Sequence, residues 1–175
     1  MRDHIVFPSD PEFNEFLTEY QKESERASVV LAGAYLDHQL CRLLNATLVD
    51  ESTDCSRLTK RGPLGSFSSR ITACYAFGLI TKEERDDLDQ ARDIRNKFSH
   101  ELHGLSFGDV DIARACGTFK CNAEAFGRLG ESLRHYPRDS RALFNLAAAL
   151  LAYYLKRRVD NAERRPFAVP PLWPK

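Results

Sequence analysis

The chain has no surplus of charge: 25 Lys and Arg stand against 25 Asp and Glu in 175 residues. Autonomous DNA binders usually carry a basic excess, because neutralising phosphates supplies much of their affinity. Neutrality disfavours that class, although it leaves room for a local basic patch. Long apolar runs are missing too. The most apolar segment, Ala142 to Leu155, spans 14 residues and is interrupted by Asn145, whereas a membrane helix needs roughly 20. Met1-Arg2-Asp3-His4-Ile5 opens without such a run, so no signal peptide is expected. Cys41, Cys55, Cys74, Cys116 and Cys121 contain no Cys-x-x-Cys pair. An odd count without metal spacing reads as reduced thiols in a cytoplasmic protein. His4, His103 and His135 stand at no ligand spacing to one another or to a cysteine, so neither metal nor cofactor is expected. Strand-like alternation, internal repeats and a recognisable Ser-His-Asp arrangement are lacking as well.

What is present is helical. A hydrophobic fraction of 43% and a charged fraction of 29% fit one globular domain. A loose start over 1–9 is expected, then a helical domain over 10–162, then a tail over 163–175 with Pro166, Pro170, Pro171 and Pro174. Asp10-Pro11 opens the first helix, in which Phe13, Phe16, Leu17 and Tyr20 recur at helical spacing. A long helix over Glu23 to Val49 shows a wide apolar face, including Gly33, Leu36, Leu40 and Leu44. Asp50 to Arg61 is polar and irregular. Gly62-Pro63-Leu64-Gly65 makes a turn, Ser66 caps a helix to about Phe77, and Gly78 stops it in a left-handed conformation. Thr81 and Glu84 form a capping box for a helix to about His100. A shorter helix from Asp109 or Asp111 to Ala125 has a possible break near Gly117. Gly127 to Pro137 is ambiguous. Asp139-Ser140 caps a last helix to about Asp160, apolar nearly all round and therefore central. The expected class is an all-α bundle of five to seven helices.

Two segments carry unusual chemistry. At ~100° per residue, Asp89, Asp93, Asn96 and His100 share one narrow stripe, opposite Leu88, Ala91, Ile94 and Phe98, with Arg95 between the two. One reading is a solvated face with a histidine near a helix C-terminus. The other is a site: His100 moves a proton, Arg95 holds a phosphate by two donors, and Asn96 orients a hydroxyl. The Gly62–Ser69 loop runs into a helix start, where free N–H groups can hold an anion. No lysine follows as in a phosphate-binding Walker loop, so a turn and cap that lets helices cross closely is the competing reading. Glu23-Ser24-Glu25-Arg26 reads as a solvated turn, unless the long helix lies on the Asp93–His100 helix and Glu25 pairs with Arg95. His38 reads as core or semi-buried, and Cys74 and Cys116 as core thiols. Lys156-Arg157-Arg158 and Arg164-Arg165 read either as a solvated helix end or as a docking patch. Phe167, Leu172 and Trp173 suit an aromatic groove or a disordered tail.

Glu23-Ser24-Glu25-Arg26, Gly62 through Ile71, Gly78-Leu79-Ile80 and Asp93 through His100, with Ser106-Phe107, together resemble the bacterial mannitol operon repressor family over about residues 10–160. That resemblance implies a compact helical protein in transcriptional control. No helix pair shows the short glycine turn and basic reading helix of a DNA-binding motif. A protein partner is therefore expected, with weak or absent DNA binding by the chain alone. The Arg95-x4-His100 spacing is also similar to the HEPN ribonuclease superfamily. That likeness implies metal-independent RNA cleavage, Arg95 holding the scissile phosphate and His100 assisting attack. A third reading is a structural dimerisation module, and a homo-oligomer suits either alternative. On the first reading Glu23, Glu25, Arg26, Gly62, Gly65, Ser66, Asp93, Arg95, Asn96 and His100 form one structural cluster with no catalytic member.

Overall fold

Capping chemistry sets most of the helix boundaries. A computed structural model describes residues 11–48, 53–60, 62–101 and 104–162. The expected loose start, the Asp10 cap, the proline-rich tail with Arg164-Arg165 and Trp173, and the residues His4, Cys55 and His103 lie outside a full description. The elements are α1 Pro11–Tyr20, α2 Glu25–Thr47, α3 Thr53–Lys60, α4 Phe67–Ala76, α5 Lys82–His100, α6 Val110–Cys116, α7 Lys120–Arg128 and α8 Ser140–Asp160. No strand occurs among the described residues, and the class is all-α.

Each expected cap inside the described residues forms. At the start of α2, where no cap was expected, Ser24 Oγ accepts from Ala27 N. Thr81 N donates to Glu84 Oε2 at 2.7 Å and Glu84 N to Thr81 Oγ1 at 3.2 Å, the reciprocal pair that opens α5. Ser66 and Ser69 make the same exchange at 3.1 Å each way, with a serine where glutamate is usual. Gly78, at φ +69°, closes α4. Its N–H donates to Tyr75 O and that of Leu79 to Cys74 O, which satisfies two terminal carbonyls. Asp139 Oδ1 accepts from Ala142 N at the start of α8.

Helix α2 is the axis of the bundle, packed on α8, α5 and α4. Its buried face runs through Val29, Ala32, Gly33, Leu36, Leu40 and Leu44. Helix α8 answers with Phe144, Leu146, Leu150, Leu151 and Leu155, and with Ala147, Ala148 and Ala152, small enough for close approach. Phe98, Phe107, Phe144 and Phe119 make a chain of rings with centroids 5.3, 5.6 and 6.3 Å apart. That chain ties the end of α5 to α8 and to the start of α7. Cys74 and Cys116 are core thiols as expected, and burial pushes both up to about 12.

The bundle has eight described helices where five to seven were expected, and α3 is the addition. No apolar period marks α3, and it is held from outside itself. Thr59 Oγ1 donates to Asn45 Oδ1 at 3.1 Å, and the Thr59 carbonyl accepts from Arg70. His38 corrects a second expectation: it is exposed, on the outward side of α2 with Leu31 and Ala34.

Gln39 is 1% exposed, and its Oε1 has no hydrogen-bond partner among the described residues. A buried acceptor without a donor costs roughly 1–3 kcal/mol. Gln39→Leu keeps the volume and removes the orphan oxygen, so it raises stability by about 1 kcal/mol. Urea unfolding of both proteins measures this, and an equal or lower midpoint in the leucine variant refutes it.

Candidate functional site

Helix α5 and the loop after it are bonded to both other unusual segments, through Arg92 and Ser68 on one side and through the marked Arg26 and Glu25 on the other. Arg70, on the first turns of α4, is 9% exposed and is the hub. Its Nε donates to Leu64 O at 3.0 Å and its Nη1 to Asp37 Oδ1 at 2.6 Å, while Nη2 reaches Thr59 O at 2.9 Å and Gly65 O at 3.3 Å. One guanidinium thus pins α2, the end of α3 and the 62–65 turn. Gly62 must be glycine there, because a Cβ would lie 2.7 Å from Arg57 O and 3.0 Å from Leu58 Cα, both backbone atoms. Ser66 caps α4, so the loop serves as a turn and cap.

Arg92 joins α5 to α4. Its Nη1 donates to Ser68 Oγ at 2.9 Å and to Asp89 Oδ1 at 2.6 Å, and its Nη2 to Asp93 Oδ1 at 2.8 Å. Arg26 Nη2 donates to Glu101 O at 2.6 Å, placing a cation at the C-terminus of α5. Glu25 Oε2 accepts from Phe107 N at 3.1 Å, and the Glu23 carbonyl accepts from Arg141 Nη2 at 2.6 Å. The start of α2 therefore clamps the end of α5 and the 104–109 loop.

The expected Glu25–Arg95 pair does not form. Arg95 lies over Gly33, where an added Cβ would stand 2.7 Å from Arg95 Cγ and 3.3 Å from Arg95 Cβ. Gly33 is eight residues beyond Glu25, roughly 12 Å along the helix. Arg95 Nη1 donates to Asn96 Oδ1 at 3.0 Å, and among the described residues it reaches no carboxylate. Asp93 and His100 are exposed, and Arg95 and Asn96 are half-buried. Arg95, Asn96 and His100 share α5, but no bond among the described residues joins His100 to the other two. That arrangement gives RNA cleavage no support. No group of three His, Cys, Asp or Glu among the described residues is placed to hold a metal. No helix among them is long and apolar enough to cross a membrane.

The other side of α5 builds the α6–α7 corner. Asp87, 3% exposed, accepts from Lys120 N at 2.9 Å and Cys121 N at 2.8 Å. It caps α7 in place of Phe119, whose side chain cannot. Gln90 Nε2 donates to Ala115 O at 2.6 Å, closing α6. Asp86 accepts from Lys120 Nζ and from Arg85, and those bonds hold its carboxyl down at about 2. Between α5 and α6 lies an open groove of about 450 Å³, lined by Asp86, Asp89, Gln90, Asp93, Ile94, Lys97, Ile112 and Ala115.

Helices α6 and α7 are joined across Gly117-Thr118-Phe119, so the expected break near Gly117 is a short glycine turn between two helices. The basic reading helix is still lacking. Lys120 is held on Asp86, the first N–H groups of α7 are held on Asp87, and Arg128 pairs with Glu124.

Known proteins match this architecture. The family model described as mannitol repressor matches residues 47–146. Two curated relatives, the mannitol operon repressors of Escherichia coli strains K12 and CFT073, are each 31% identical over 62 residues. Each match covers 35% of this chain and only 32% of the relative's length. A solved chain from the X-ray structure of the MtlR-HPr complex of Escherichia coli shares the fold with a TM-score of 0.64. It is 18% identical, and the match covers 82% of this chain and 97% of that one.

Proposed function

Because this chain belongs to the mannitol repressor family, we propose that it acts in transcriptional control by binding a partner protein, and does not itself read an operator. The observation that carries this is the start of α7. The end of the α6–α7 pair that would meet DNA is packed on Asp86 and Asp87, where it would meet phosphate with negative charge. By analogy with the solved complex, an HPr protein is the first partner to try. On this reading the helical domain over 10–162 works in the cytoplasm without cofactor or catalytic residue. Glu25, Arg26 and Arg95 serve to hold α5 and the loop after it on α2, Glu23 ties α2 to α8, and Gly62, Gly65 and Ser66 shape the turn into α4.

Calorimetric titration with the HPr protein of the source cell is expected to give micromolar or tighter binding. Operator DNA at physiological salt is expected to give only weak, salt-sensitive binding without sequence preference. Nanomolar, sequence-selective operator binding by the chain alone would sink the proposal.

A further inference from the structure

We propose that the open side of α2 is a self-association surface, on which a second copy of this chain lays the same helix antiparallel. The inference stands apart from the partner-protein reading above and does not depend on it.

A helix that is apolar on all sides belongs in a core. Helix α2 has that character: from Ala27 to Cys41, Asp37 and His38 are its only titratable side chains apart from the Tyr35 phenol and the Cys41 thiol. Helices α8, α5, α4, α3 and α1 pack around it. Even so, Leu31, Ala34 and His38 are exposed, with Ala27, Val30 and Tyr35 half-buried beside them. At ~100° per residue, Ala27, Leu31, Ala34, His38 and Arg42 fall within about 80° of one another. The side of α2 open to water therefore carries no lysine, arginine or carboxylate over roughly 16 Å, from Ala27 to His38.

This strip ends in opposite charges. Glu23 is exposed at the turn into α2, and Arg42 is half-buried near the other end. Neither side chain has a partner among the described residues. The charged side chains between them are engaged elsewhere, Glu25 on Phe107 N, Arg26 on Glu101 O and Asp37 on Arg70.

A two-fold axis between the levels of Leu31 and Ala34 brings the strip onto itself in reverse. Leu31 then opposes Ala34, Ala27 opposes His38 and Glu23 opposes Arg42, each pair occurring twice by symmetry. An occupant of one charge sign satisfies one end of the strip and is repelled by the other. A second copy carries both signs in the reversed order, and a chain of zero net charge does not oppose its own approach. Covering Leu31, Val30 and the alanines supplies the affinity, and the solvent-exposed end pairs set the register. Because the contact is isologous it closes at two copies and builds no filament.

Sedimentation of the full chain, from low to high micromolar concentration, is expected to show a reversible equilibrium between monomer and dimer. Arg42→Glu and Glu23→Arg each turn two attractive pairs into two repulsive ones, and each should weaken the dimer about tenfold. Mixed in equal amounts, the two variants regain opposite charges at both ends, so the mixture should recover the association of the parent chain. Ala34→Glu sets a carboxylate beside the axis at a position that is already exposed, and should abolish the dimer. Melting curves by circular dichroism check the fold of each variant. If one is unfolded, concentration-dependent shifts in the amide resonances of Ala27, Leu31, Ala34 and His38 in the parent chain decide. A chain that stays monomeric throughout overturns the proposal. So does a dimer indifferent to Ala34→Glu, a dimer whose shifts lie elsewhere, or a mixture that fails to recover what both single variants lost. A monomeric chain whose α2 amides shift only on adding another protein gives the face to a foreign partner and overturns it as well.

Discussion

Arg70→Met lowers the unfolding free energy by roughly 3–5 kcal/mol, the range for removing one partner of a buried ion pair. It leaves Asp37 without its cation and the carbonyls of Leu64, Thr59 and Gly65 without their donor. The loss sits toward the lower end, because the Asp37 side chain is 30% exposed and keeps water. At this chain length the melting temperature falls by about 10 °C. Arg70→Lys recovers little of it, since a point-like ammonium cannot span three carbonyls and a carboxylate as a planar guanidinium does. Thermal unfolding followed by circular dichroism checks both variants. A methionine variant that melts within two degrees of the parent chain shows that the hub does not hold the fold.

Gly33→Leu comes next, with an expected loss of about 2–3 kcal/mol from overpacking. The first side-chain carbon would stand 2.7 Å from Arg95 Cγ, near the root of that side chain, where it has little freedom to swing clear. Arg95→Ala alone costs only about 1 kcal/mol, as it removes stem packing and one bond to Asn96. In the double variant the leucine takes the space the arginine left, so the two losses do not add. A double-mutant cycle should give a coupling of about 1–3 kcal/mol favouring the pair. Strict additivity would mean that Arg95 and Gly33 do not share one volume. Arg95 thus acts by packing and not by charge, consistent with the absence of a carboxylate against it among the described residues.

The caps were legible in the sequence because they are local. Ser66, Thr81 with Glu84, Gly78 and Asp139 each act within a few residues, and each forms as read. The break near Gly117 was legible for the same reason. Helix α3 was not, since its anchors Asn45 and Arg70 stand on other helices. The candidate site was legible as a set of segments and not as a set of bonds. Arg70 lies in the Gly62–Ile71 run, but its role is not legible there, because Asp37 is 33 residues away and no short pattern links them. A single arginine beside Ile71 on an otherwise apolar helix face is the signal that would have found it. Arg92 stood out as little, although it alone joins Ser68, Asp89 and Asp93. Arg95, three residues further along α5, is the more conspicuous residue and makes fewer hydrogen bonds. The Glu25–Arg95 expectation had the right helix pair and the wrong height along it.

The carboxylate of Asp87 makes α7 dependent on a distant part of the chain for its start. A nine-residue helix is too short to nucleate alone in water, and Phe119 offers its first N–H groups nothing. Those groups are satisfied only once α5 is formed and in place. The order of assembly follows from this: α7 is a late joiner, completed on a surface that α5 has already built. Its first amides are then released to solvent exchange whenever α5 lifts away, so the corner beside the groove opens as one cooperative unit with α5 and not as a separate fraying end.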